Sequence, residues 1–73
     1  MVSTTPPALQ IALNGEPRAV PARSVAELVA HLQLDSRKVA IERNLAIVPR
    51  SAYADTPILA GDRIEIVGFI GGG

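Results

Sequence analysis

The end of the chain holds the residues best suited to chemistry. Gly71, Gly72 and Gly73 follow Phe69 and Ile70 without interruption. Glycine has no Cβ, so three in a row can thread a channel too narrow for other residues. Extended, the stretch from Ile70 to Gly73 spans roughly 13 to 14 Å at about 3.3 to 3.6 Å per residue. That reach would carry the carboxylate of Gly73 clear of the domain and into the active site of another protein. The glycines alone favour an ordinary frayed end, and that reading stays open on their evidence.

Little else offers catalysis. Cysteine is absent, which rules out disulfides, thiolate metal sites and a cysteine nucleophile. His31 is the single histidine, too little for a zinc site of the usual kind. With no nucleophile paired to it, His31 reads as a surface helix residue one turn below Glu27. Glu42 and Arg43 read either as partner contacts or as solubilising charges near a strand edge. Pro49 and Arg50 end a strand, Asp62 reads as a turn residue, and Tyr53 as a half-buried cover for the core. Seven basic residues balance seven acidic ones, which removes the electrostatic case for nucleic acid or anionic lipid.

The elements that position the tail can be read from the pattern. With 73 residues, one helix on one sheet is about what the length supports. A composition of 48% apolar and 19% charged residues indicates a folded domain. No apolar run approaches the roughly 20 residues of a membrane span. Residues 1–7 lack the pattern of a secretory signal and read as a loose leader, so a soluble, cytoplasmic domain is expected. Leu9, Ile11 and Leu13 alternate along a first strand. Asn14-Gly15 then marks a hairpin into Glu16 to Val20, where Pro17 demands a sheet edge. Val25, Leu28, Val29 and Leu32 form one helical stripe from about Val25 to Gln33, opened by a capping box of Ser24 and Glu27. Val39 to Arg43 and Ala46 to Val48 read as strands around an Asn44-Leu45 turn, Arg50 to Asp55 as an irregular or helical turn, and Arg63 to Ile70 as the last strand.

That order, with the last strand returning beside the first, is the β-grasp or ubiquitin-like arrangement, class α+β. It divides the chain into leader 1–7, domain 8–70 and glycine tail 71–73. On the last strand Ile64 and Ile66 should face the helix, with Arg63 and Glu65 outside. Continued alternation puts Val67 and Phe69 on the outer face, an apolar docking surface at the root of the tail. The competing reading is a bulge at Gly68 that returns Phe69 to the core.

Several runs together resemble the ThiS family of sulfur carriers in thiamine biosynthesis. They are the opening strand with Asn14-Gly15, Ser24-Val25-Ala26-Glu27-Leu28, Val39-Ala40-Ile41-Glu42-Arg43-Asn44, Ile47-Val48-Pro49-Arg50, Gly61-Asp62, and Glu65-Ile66-Val67 before the glycines. The resemblance covers about residues 8–73. It departs in a longer leader and in three terminal glycines where two suffice. It implies a carrier rather than an enzyme. An E1-like adenylyltransferase of the ThiF type would use ATP to convert the Gly73 carboxylate to an acyl-adenylate. Sulfur from a donor such as a cysteine desulfurase would then leave a thiocarboxylate for thiazole synthase of the ThiG type. The chain itself should bind no cofactor: it has no G-x-x-x-x-G-K-[ST] phosphate cradle, so Mg-ATP belongs to the activating partner. Two alternatives remain at this point. One is a MoaD-like small subunit of molybdopterin synthase, a family that tends to carry a Pro-Pro pair where this chain has Gly68-Phe69-Ile70. The other is a ubiquitin-like tag or interaction module without sulfur chemistry.

Overall fold

Two tight hairpins build the flanks of the sheet. A computed structural model describes residues 7–68. Strands β1 (Leu9–Leu13) and β2 (Glu16–Val20) pair antiparallel around Asn14 and Gly15. Their φ values, 51° and 84°, are those a two-residue type I′ turn requires. Strands β3 (Val39–Arg43) and β4 (Ala46–Val48) pair in the same way around Asn44 and Leu45, at φ 51° and 72°. The last strand, β5 (Arg63–Gly68), lies between the hairpins, parallel to β1 and antiparallel to β3. The order is β2-β1-β5-β3-β4. Pro17 falls on an outer strand, opposite Ala12, where its missing N–H costs no ladder bond.

One helix, α1 (Val25–His31), covers one face of the sheet. Its first three free amide groups are all satisfied. Val25 and Ala26 N–H donate to the carbonyls of Thr56 and Tyr53, and Glu27 N–H donates to Ser24 Oγ. The Glu27 carboxylate accepts from Arg23 N–H at 2.8 Å, one residue outside the expected capping box and not from His31. The helix stops two residues earlier than its apolar stripe suggests. Gln33, at φ 59°, donates to Ala30 O, and Leu34 N–H reaches back to Val29 O. That pair of bonds is a Schellman closure, made with glutamine instead of the usual glycine.

The core lies between helix and sheet. Val25 and Leu28 from α1 meet Ile11, Ile41 and Ile64 from the strands, each 3% exposed or less. Each such side chain contributes about 1.5 to 3 kcal/mol by leaving water. Tyr53 belongs inside this cluster at 5% exposure, not half-buried as its polar hydroxyl suggested. The carbonyls of the 53–56 segment cap α1, and so the segment that carries Tyr53 is held against the core. A turn of 3-10 helix, Arg50–Ala52, leads into it, and a second, Ser36–Lys38, joins α1 to β3. No helix among the described residues is long and apolar enough to cross a membrane.

Candidate functional site

The strand that leads to the tail is gripped at both ends. At its start, Asn44 Oδ1 accepts from Arg63 N–H at 2.9 Å while Asn44 N–H donates to Arg63 O at 2.8 Å. Near its end, Asn14 Oδ1 accepts from Ile66 N–H at 2.7 Å and Asn14 Nδ2 donates to Ile66 O at 3.3 Å. The two asparagines occupy equivalent places, the first left-handed position of each hairpin. Asparagine tolerates that conformation better than most residues and adds a carboxamide. Sequence reasoning treated both only as turn formers; the signal it passed over is asparagine, with its side-chain amide, at both turns flanking one strand.

Asp62 is not a simple turn residue. It is buried, and its carboxylate gathers three donors: Arg43 Nε at 2.7 Å, Leu59 N–H at 2.9 Å and Asn44 Nδ2 at 3.1 Å. Burial, the largest single influence, pushes its pKa up. The Leu59, Arg43 and Asn44 hydrogen bonds and the Arg43 charge together outweigh it and hold the carboxyl below its ordinary value. The network ties the β3–β4 hairpin to the turn before β5. Arg43 is thereby committed to a structural ion pair, with its side chain 24% exposed.

Beyond that pair the outer face of the sheet lies open. Val67 is 61% exposed opposite Ala40, and Ile47 is 70% exposed opposite Glu42. Glu42 in turn stands directly across from Glu65. Like charges at facing positions are mildly destabilising, so this pair does not serve the fold. Ile64 is buried and Ile66 half-buried on the helix side, while Arg63 and Glu65 are exposed, as the alternation requires. The sheet therefore gathers Val67 and Glu42 on one face and turns Arg43 toward Asp62. Phe69, Ile70 and the glycines Gly71, Gly72 and Gly73 lie outside the described residues, as do residues 1–6 of the leader. His31 is exposed on α1, and no three His, Asp or Glu side chains among the described residues form a metal-binding group.

Comparison with known proteins agrees with this geometry. The ThiS family model matches residues 11–73. A thiazole synthase of Paramagnetospirillum magneticum is 52% identical over 66 residues, covering 89% of this chain but only 20% of that protein. The chain thus spans about a fifth of the length of that relative. The sulfur carrier protein ThiS of Bacillus subtilis is 38% identical over 50 residues, 68% of this chain and 76% of its own. Among solved structures, the thiamine biosynthesis protein ThiS of Geobacter metallireducens superposes with a TM-score of 0.76 at 30% identity, covering 89% of this chain and all of that one. On the family match, the shared fold and the runs of sequence that carry them, this chain belongs to the ThiS family.

Proposed function

We propose that the protein is a cytoplasmic sulfur carrier for thiazole formation, with the Gly73 carboxylate as the group that is loaded. The observation that carries this reading is the ThiS match running through residue 73, on a fold whose last strand is fastened just before the tail. A carboxylate is a poor acyl donor until one oxygen becomes part of a good leaving group. Glycine presents the least hindered carboxylate for that step. An activating enzyme of the ThiF type would supply Mg-ATP. The carboxylate oxygen attacks the α-phosphorus, pyrophosphate leaves, and an acyl-adenylate forms. A persulfide provided through a cysteine desulfurase then attacks the acyl carbon and AMP leaves; a thiol cleaves the resulting acyl disulfide, is itself oxidised to a disulfide, and leaves the thiocarboxylate. Thiazole synthase takes the sulfur from it.

This chain contributes shape rather than catalysis. Gly71 and Gly72 thread the partner's channel. Val67 and Phe69 supply apolar contact area, and Glu42, reinforced by Glu65, favours a cationic group on the partner. Arg43 acts through its hold on Asp62, which fixes the hairpin that carries Glu42. The similarity to part of a thiazole synthase supports that enzyme class as the acceptor. The test is ATP–pyrophosphate exchange by a ThiF-type enzyme in the presence of the full chain. Exchange should depend on the chain and vanish when the Gly73 carboxyl is blocked as its amide, with the melting temperature unchanged. Exchange that persists with that carboxyl blocked contradicts the assignment.

A further inference from the structure

Strand β1 leaves the sheet before β5 does, and something must replace it. The last main-chain bond of this parallel pair runs from Asn14 N–H to Ile64 O at 2.9 Å. At Asn14 the backbone turns into the left-handed region, φ 51°, and departs into the hairpin. Two residues further along β5, the N–H and C=O of Ile66 point to the side β1 has vacated. The Asn14 side chain meets both, at 2.7 Å and 3.3 Å. A carboxamide is chemically a peptide group, with one acceptor and donors in one plane. Asn14 therefore extends the ladder by one pairing without extending the strand.

We infer that Asn14 is a positioning residue that fixes the direction in which β5 delivers the C-terminal tail. Ile66 stands seven residues before Gly73 (73 − 66 = 7). Without the clamp, the last hold on this side of β5 retreats to Ile64, and Ile66 to Gly68 are paired on the β3 side only. A strand held on one side samples more exit directions, and fewer of them present the tail in line for reaction. Docking through the opposite outer face of the sheet does not involve the clamp. Loss of Asn14 should therefore slow turnover rather than weaken binding. In its functional part this rests on the sulfur-carrier reading.

The test compares N14G, N14D and N44G in the full chain. Glycine accepts φ 51° without strain, so N14G keeps the hairpin and removes the clamp. N14D keeps the acceptor for Ile66 N–H and loses the donor to Ile66 O. N44G loosens the other end of β5 and serves as the control for stability. For N14G, amide exchange at Ile66 and Val67 should rise about tenfold. The kcat for tail activation should fall about tenfold with KM unchanged. N14D should recover most of the Ile66 protection and part of the kcat. N44G should lower the melting temperature yet keep kcat. Unchanged exchange at Ile66 in N14G overturns the inference, as does an equal loss of kcat in N14G and N44G. If the wild-type chain is not activated at all, the sulfur-carrier reading fails instead. The clamp is then judged on exchange alone, by whether Ile66 and Val67 loosen in N14G and not in N44G.

Discussion

Asp62 gives the sharpest test of how the fold is held. Asp62→Asn keeps the shape of the side chain and removes its charge; Asp62→Ala removes the acceptor altogether. The carboxylate takes three hydrogen bonds, one of them from a guanidinium at 2.7 Å. Hydrogen bonds to a charged group contribute about 1.5 to 3 kcal/mol each, and orphaned partners add to the cost of removal. These values do not sum, because Arg43 at 24% exposure can still recruit water. We expect Asp62→Ala to lose about 2 to 3 kcal/mol. For a domain of this size that lowers Tm by roughly 10 to 20 °C. The pH dependence follows from the lowered pKa of Asp62. A depressed carboxyl contributes stability in full above its unfolded value of about 3.9, and loses it as pH falls through the folded value. Wild-type Tm should therefore drop faster than that of Asp62→Asn below about pH 4. Asp35, held down to about 2 by the side-chain and backbone hydrogen bonds of Arg37, is common to both proteins and cancels in the difference. Thermal melts from pH 7 to pH 2 measure both effects. A Tm for Asp62→Ala within two or three degrees of wild type, or parallel acid profiles for wild type and Asp62→Asn, would refute the reasoning.

Three further outcomes are expected. Leu45→Gly should raise Tm by a few degrees, because Leu45 holds φ 72° with 70% of its surface exposed; relief of the left-handed penalty of about 1 to 2 kcal/mol exceeds the entropy glycine adds, and a lower Tm would contradict this. Ile64→Ala, at a fully buried position, should cost about 2 to 5 kcal/mol in chemical denaturation, and a loss under 1 kcal/mol would show that the sheet and helix do not meet there. Val67→Lys should leave Tm within a few degrees but weaken affinity for the activating enzyme about tenfold by calorimetry, with Phe69→Ala behaving alike; a large loss of stability in Phe69→Ala would place that ring in the core.

Much of this molecule is legible in its sequence because its signals are local. Asn14-Gly15 specifies a turn by backbone conformation, Pro17 an outer strand by a missing donor, and the spacing of Val25, Leu28 and Val29 a buried helical face. Each depends on residues a few positions apart. The features that escaped depend on contacts across the chain. Asp62 looks like a turn residue until Arg43 and Asn44 are brought to it from 19 and 18 positions away. Asn14 and Ile66 are 52 positions apart, so nothing beside Asn14 in the sequence announces its second role. The helix end was misjudged for a different reason. Leu32 continues the apolar stripe, but the turn closes on Gln33, a residue whose type does not signal a left-handed stop. For the candidate site, simple alternation pointed to Val67 on the outer face, where it is exposed, while the face that Glu42 occupies had to come from the pairing with β5. Sequence reasoning also grouped Arg43 with Glu42, although neighbours on a strand face opposite ways.

The most direct measurement of the central claim is the intact mass of the chain after incubation with a ThiF-type enzyme, Mg-ATP, a cysteine desulfurase and cysteine. The proposed chemistry requires a single species heavier by the difference between one sulfur and one oxygen, with fragmentation placing the change on Gly73. An unchanged mass under conditions that load another ThiS protein, or a sulfur located anywhere but the terminal carboxyl, would contradict it.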